Sequence, residues 1–464
     1  MSSCLLPCHN QPSRSRLAAP DNDRRESEEV GSDAHGQGRP RSMPVRYRML
    51  GLIAVLTTLN YLDRTLLSIA APAMTADLGL DPATLGVVFS VFSWSYAIAQ
   101  VPGGIVLDRL GVRTTYFLSV TLWSLFTALQ GAAFGLWSLL VTRLCLGAAE
   151  APCFPANSRV LVSWFPQRER ARANSVYAVG QYVGIAFMSP LLFWTVATFG
   201  WRALFFIVGG IGVVLGFVWL RLYRDPSRHP SVTQAELDLI AADGGVVSSG
   251  ASLPFSWRNV RWLITRRQVF GASLGQFATN STLIFFLTWF PTYLAVERKM
   301  SWISVGFYAT LPFIAASIGV LAGGQISDWL VRRTASLSIG RKFPVVAGLM
   351  LSSTIILAAG LDSNALVIAV LSIAFFGQGM ANLGWTLISE VAPASLVGLT
   401  GGVFNFCTQL AGIITPIVIG LIVQQTGSFH GALAFIGCVA LVGALSYIVI
   451  VGKVERIAPP VWTH

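Results

Sequence analysis

Charged side chains are scarce in this chain. They make up 11% of its 464 residues, against about 25% in a soluble domain, and that excludes an ordinary water-facing surface. Histidine is rarer still: His9, His35, His229, His430 and His464 share no spacing, so no metal site or histidine-based catalytic cluster can be assembled from them. The six cysteines contain no CxxC, and Cys145, Cys153, Cys407 and Cys438 fall inside apolar runs, where they read as small buried hydrophobes rather than disulfide partners or metal ligands. No apolar h-region precedes Met49, which argues against a secretory signal peptide. Without a nucleophile–base pair or a metal cluster, an enzyme is not expected, and neither is a cofactor.

What is abundant is apolar. Hydrophobic residues make up 54% of the chain, with 44 glycines and 14 tryptophans. Glycine is tolerated in packed membrane helices and tryptophan favours lipid–water interfaces. Windows of about 20 apolar residues, the length that crosses a bilayer, fall at 47–71, 83–107, 114–134, 136–163, 172–198 and 202–223, then at 269–295, 303–330, 343–361, 365–391, 397–425 and 429–452. The spacing predicts an all-α integral membrane protein of twelve transmembrane helices in two six-helix halves, 46–223 and 269–453. A central loop over 224–268 joins them; its Pro-Ser-Val-Thr-Gln-Ala-Glu segment reads as a short capped helix outside the bilayer. Residues 1–45, rich in Arg, Ser and Pro, read as a disordered tail in which Met43 is an alternative start, and 454–464 as a second tail.

The net charge of +11 does not signal nucleic acid, because the basic residues lie on one side. Arg109 and Arg113, then Arg168, Arg170 and Arg172, then Arg224, Arg228, Arg258, Arg261, Arg266 and Arg267, then Arg332, Arg333, Arg341 and Lys342 alternate with a side that holds only Arg202, Arg298 and Lys299. The positive-inside rule makes both termini and the central loop cytoplasmic in a multi-pass protein.

The halves repeat. GGIVLDRLGVR closes the second span with Gly103, Gly104, Asp108, Arg109, Gly111 and Arg113, and GGQISDWLVRR closes the eighth with Gly323, Gly324 and Asp328. The glycines are expected to let helices approach, and each Asp to cap a helix end and pair with loop arginines. Parallel halves imply a substrate site at their interface near the midplane.

One run, NYLDRTLLSIAAP in the first span, carries Asp63 and Arg64 where hydrocarbon is expected. Each ion costs about 2.5–3.5 kcal/mol there on insertion scales. Asn60 and Arg64 share a helix face, while Asp63 is turned about 100° from Arg64. The fourth span adds Arg143 and Glu150, seven apart and so nearly stacked. A structural set of ion pairs is one reading. The other is functional: a guanidinium takes a substrate carboxylate bidentately, and Asp63 or Glu150 takes up a proton and releases its arginine. Tyr61, Tyr96, Gln181, Gln276, Asn280, Asn382, Trp385 and Asn405 supply hydrogen-bonding and aromatic groups suited to a polyhydroxylated chain, or to ordinary interhelical contacts. Glu390 is expected to meet a loop arginine, and Arg159 with the RERAR run to be snorkelling or loop charges.

The six-plus-six pattern and GxxxDRxGxR resemble the major facilitator superfamily. NYLDRTLLSIAAP, RLCLGAAEAP and RHPSVTQAEL are similar to its anion:cation symporter branch, the bacterial sugar-acid carriers for galactonate, glucarate and related anions, from about Tyr47 to Arg456. The resemblance implies alternating access in a bacterial inner membrane and a monomer that binds a small organic anion within the lipid bilayer. The proton would be its coupling ion, with Asp63 and Glu150 in proton coupling, Arg64 in anion binding and the GxxxDRxGxR residues in conformational change; Arg143 is a second anion-binding candidate by its own place in the fourth span. Tyr61, Tyr96, Gln181, Gln276, Trp385 and Asn405 match the carriers position by position. Asn382 and Gly384 stand where the galactonate-type pattern has hydroxyls, which counts against galactonate itself. A phosphate-ester antiporter or another carboxylate carrier of the same fold, a drug exporter and a non-transporting sensor are the alternatives. The seventh span, 269–295, holds no charge with which to clamp a dianion from both halves.

Overall fold

Where no water can satisfy a backbone, a chain that crosses lipid closes its hydrogen bonds within helices, and that is how this sequence folds. The structure, a computed structural model, describes residues 44–242, 256–393 and 396–458. The tail read over 1–45 lies almost wholly outside the described residues, as does the chain end beyond 458. Among the described residues there is no strand, and nine helices are long and apolar enough to cross a membrane. Each of the twelve apolar windows falls on a helical stretch.

Helix α1 (Val45–Leu78) ends at Gly79, whose φ of 64° gives the left-handed cap that stops it. Helix α2 (Pro82–Gly131) starts on Asp81, which accepts the Thr84 N–H at 2.9 Å and the Thr84 hydroxyl at 2.8 Å; these bonds hold the Asp81 carboxyl below its usual range. A kink at Gly111, φ 73°, splits α2 into two passes. Gly200, φ 80°, does the same in α5 (Gln167–Leu222). Only glycine enters that region without strain, so these residues replace the loops that the apolar windows imply. Between them lie α3 (Leu136–Glu150) and α4 (Cys153–Trp164), one apolar pass interrupted at Ala151 and Pro152.

Helices α6 (Gln234–Ala242) and α7 (Trp257–Ile264) occupy the central loop. Then follow α8 (Arg267–Thr288), the short α9 (Phe290–Thr292), α10 (Trp302–Thr334), α11 (Leu337–Ser353), α12 (Asn364–Ala381), α13 (Gly384–Val391), α14 (Val397–Thr426) and α15 (His430–Leu445). Helices α1–α5 pack chiefly on one another, as do α8–α15, and α2 against α14 and α5 against α10 join the two sets.

The successive passes put Arg109, Arg224 and Arg332 at one end of the bundle, here called the basic end. At the far end the two sets close tightly. A Cβ built on Gly86 would lie 2.5 Å from the Pro416 carbonyl oxygen, one on Gly420 would lie 2.5 Å from that of Pro82, and one on Gly306 would lie 3.1 Å from the Cα of Pro190. The Trp289 indole N–H donates to the same Pro416 oxygen at 3.2 Å.

At the basic end, α6 is fixed by charge. Thr233 Oγ1 accepts the Glu236 N–H at 3.3 Å, the cap expected from the sequence. The Glu236 carboxylate is itself buried and accepts the first free N–H groups of α1, from Val45 at 3.3 Å and Arg46 at 3.0 Å. His229 packs edge-on against Trp164 with ring centroids 5.7 Å apart. Burial, then Arg224 and Arg48, push its imidazole below the usual value, against a smaller opposing pull from Glu236.

Candidate functional site

The intramembrane ions come together, though not in the pairs their order in the chain suggests. Arg64, on α1, donates through Nε to Glu150 Oε1 at 2.8 Å and through Nη2 to the same oxygen. Glu150, the last residue of α3, is fully buried, and its Oε2 has no hydrogen-bond partner. The Arg64 guanidinium sits 5.1 Å from the centroid of Tyr61, 5.0 Å from Phe92 and 5.0 Å from Tyr96, a three-ring cage whose π faces favour a cation. Arg143 lies 5.2 Å from the centroid of the same Phe92 ring, buried, with Nε and Nη1 unbonded.

Asp63 points elsewhere. It is 2% exposed, and neither carboxylate oxygen has a hydrogen-bond partner, although the Trp123 indole and Thr127 hydroxyl on α2 and the charges of Arg143 and Glu150 lie close by. Of the two carboxylates read as able to hold an arginine that protonation releases, Asp63 or Glu150, Glu150 is the one bonded to Arg64 in this conformation. Asn60, on the Arg64 face as its spacing requires, is buried beside Glu150.

A cavity of about 860 Å³ opens between the two helix sets, lined by Tyr61, Arg64, Tyr96 and Arg143 on one side and by Gln276, Asn382, Trp385 and Asn405 on the other. Asp63 and Glu150 are not on its wall. The Gln181 side chain lies outside the described residues; its helix, α5, reaches the wall through Tyr182. All the lining charge is cationic and belongs to the N-terminal set, whereas the C-terminal set contributes amides, hydroxyls and the Trp385 ring. Asn280 is less available than its sequence position implies, since its Nδ2 donates to the Thr408 carbonyl across α14 at 2.7 Å. Gly384 explains the missing hydroxyl: a Cβ there would stand 2.5 Å from Gln276 Oε1 and 2.7 Å from the Tyr447 hydroxyl, so the Gln276 amide occupies that space.

Residues not singled out in the sequence also line the cavity, notably Ser93, Gln100, Gln378 and Gln409. Asn405 Nδ2 donates to Gln100 Oε1 at 2.6 Å, a bridge from α14 to α2 across the cavity. Ser93, Tyr96 and Gln100 recur at helical spacing, as do Asn405 and Gln409, and that period was the available signal.

The repeated motif divides differently from its reading. Gly103 and Gly323 make the close approaches, with built Cβ atoms 2.9 Å from Pro152 Cγ and 3.0 Å from Met380 Cα, while Gly104 and Gly324 have nothing within 4 Å. Asp108 pairs at 2.9 Å with Arg159, which sits on α4 as a bonded partner rather than as a snorkelling or loop charge. Arg113 donates to the Leu220 carbonyl through Nε at 3.1 Å and Nη2 at 2.6 Å. In the C-terminal set, Arg341 joins Asp328 and Glu390, each at 2.9 Å. Arg341 lies on α11 rather than in a loop.

Comparison with known proteins adds to this geometry. The sequence profile of the Major Facilitator Superfamily matches residues 53–416. The chain is 43% identical over 425 residues to the probable galactarate/D-glucarate transporter of Escherichia coli (strain K12), covering 89% of this chain and 94% of that one. It is 43% identical over 418 residues to the D-galactonate transporter of Escherichia coli O6:H1, with 89% and 97% covered. It is 34% identical over 395 residues to the hexuronate transporter of Bacillus subtilis, with 84% and 91% covered. Among solved structures, a bacterial homologue of the human lysosomal transporter Spinster superposes with a TM-score of 0.72 at 18% identity, over 90% of this chain and 100% of that one.

Proposed function

The chain belongs to the Major Facilitator Superfamily, and we propose that within it this protein carries sugar-acid anions (aldonates, aldarates or hexuronates) by proton-coupled symport. The observation that carries the proposal is the polarity of the cavity: two guanidiniums on one wall and an uncharged, amide-rich wall opposite. A carboxylate is taken by the Arg64 fork and by Arg143, while the polyol chain faces Gln276, Asn382, Asn405 and Trp385. The uncharged wall counts against a phosphate-ester antiporter clamping a dianion from both helix sets.

Charge balance explains why a proton should travel too. With all four ionised, Asp63, Arg64, Arg143 and Glu150 sum to zero. One proton on a carboxylate leaves one guanidinium uncompensated, which matches one carboxylate of the substrate. Glu150 is the group whose protonation unlocks Arg64, because it is the one bonded to it. Moving an anion into a negative-inside compartment costs about 2.3 kcal/mol per charge per 100 mV, so accumulation needs a co-transported cation. In this reading the protein is a monomer in a bacterial inner membrane with the basic end and both termini in the cytoplasm.

The test is uptake into proteoliposomes of galactonate, glucarate, galactarate, glucuronate and tartrate, with and without an inward proton gradient. Accumulation of one of these that requires the gradient is the expected result. Equal uptake with and without it removes proton coupling, and no uptake of any from folded protein removes the carrier reading.

A further inference from the structure

A second concavity lies at the basic end, about 570 Å³ in volume, between the kink of α2 and the turn that follows α5. Arg109, Arg113, Arg224 and Arg228 line it, with Asp108 and Asp225. The acids do not neutralise it. Asp108 is paired with Arg159 at 2.9 Å, and Asp225, whose bonded partner is the neutral Tyr223 hydroxyl at 3.3 Å, offsets only one of the four lining arginines. Arg113 is fixed by its two bonds to the Leu220 carbonyl. Arg109, Arg224 and Arg228 form no ion pair within 4.0 Å among the described residues. Counting Arg159, five guanidiniums surround two carboxylates.

The groove also has a definite position relative to lipid. The helix segments that lead to it expose Ile105, Val106 and Leu110 on α2 and Phe217 and Leu222 on α5, the apolar belt of a membrane-spanning bundle. The cations therefore stand where hydrocarbon gives way to headgroups, and guanidinium forks are matched to phosphate oxygens. Basic pockets at this level between helices bind anionic lipid headgroups.

We infer that this groove is a phosphate-binding site, separate from the central cavity, and that its occupant is the headgroup phosphate of an anionic phospholipid in the leaflet at the basic end. Arg109, Arg224 and Arg228 bind the phosphate oxygens, and Arg113 fixes the wall of the groove. The acyl chains run along the exposed faces of α2 and α5.

The experiment is native mass spectrometry of the full chain released from nanodiscs containing phosphatidylglycerol, cardiolipin and phosphatidylcholine. The variants are Arg224→Gln with Arg228→Gln and, as an equal change of charge at the same end, Arg332→Gln with Arg333→Gln. The first pair is expected to lower the anionic-lipid adducts about tenfold relative to phosphatidylcholine, with the control pair near wild type. Equal loss in both pairs, or in neither, overturns the site. A parallel arm adds inorganic phosphate to protein in phosphatidylcholine alone. Phosphate protecting Arg224 and Arg228 from phenylglyoxal there as well as phosphatidylglycerol does would overturn the lipid as the occupant, and protection by phosphatidylglycerol only supports it. Because neither readout uses transport, failure here leaves the carrier proposal standing, and failure of that proposal leaves this one.

Discussion

Arg64 gives two of its N–H groups to a single oxygen of Glu150, and the second oxygen of that buried carboxylate is left without a partner. The pair is thus strong in one direction and unfinished in another. A proton on Oε2 would cost no existing hydrogen bond while it weakened the hold on Arg64. Removing the carboxylate outright instead strands a cation inside the protein, which typically costs about 3–5 kcal/mol.

Glu150→Gln preserves volume and removes the charge. Gradient-driven accumulation is expected to fall to the level seen without a gradient, while exchange of labelled for unlabelled substrate across the same liposomes persists. Unchanged gradient-driven uptake would assign the proton to another group, with Asp63 next in line.

Arg64→Lys keeps a positive charge and loses the fork. Charge-assisted hydrogen bonds are worth about 1.5–3 kcal/mol, so substrate affinity measured by calorimetry is expected to drop by about tenfold to a hundredfold. Arg143→Lys should weaken binding too, since its Nε and Nη1 are unbonded and free to receive the carboxylate. Equal affinity in both variants would show that the carboxylate sits elsewhere in the cavity.

Gly384→Ser places a side chain where the Gln276 amide now lies. Gln276 must then swing into the cavity, and the ranking of sugar acids in competition uptake is expected to change more than the rate for any one of them. An unchanged ranking would mean that Gln276 does not read the substrate.

Glu236→Ala removes the acceptor of the Val45 and Arg46 N–H groups, at a cost of about 1 kcal/mol, and hydrogen exchange should quicken in the first turn of α1 with no change at Asp81. Acid should loosen the same region. His229 titrates below its ordinary value in the folded protein, so the unfolded loop binds protons more readily. Docking is therefore at full strength above the unfolded value of about 6.5 and weakens as pH falls through it toward the folded value. Exchange near Trp164 that is flat over this range would remove His229 from the account.

The sequence made the ions conspicuous and their partners obscure. Asp63 and Arg64 stand out because a charge in an apolar run has few innocent explanations, and both arginines did prove to line the cavity. Which carboxylate meets Arg64 depends on how α1 crosses α3: Glu150 is 86 residues away, and no local spacing encodes that crossing. The same limit applies to the paired glycines, since Gly103 and Gly104 are equivalent in a motif and only the 100° between them decides which meets Pro152. Gln100, Gln378 and Gln409 were missed because a lone amide in a membrane helix reads as a helix-to-helix contact. The chain breaks were legible in position but not in kind, for Gly111 and Gly200 each do with one left-handed residue what a loop of several would do.

The far-end contact of α2 and α14 has a mechanical consequence. Gly86 rests against the carbonyl of Pro416, and Gly420 against that of Pro82, so each helix offers bare backbone to the other at the same crossing. Interlocked side chains would have to change rotamers one by one whenever these helices moved apart. Two smooth surfaces carry no such toll: the joint behaves as a plain bearing rather than a gear, and a bulky residue at Gly86 would act as grit in it.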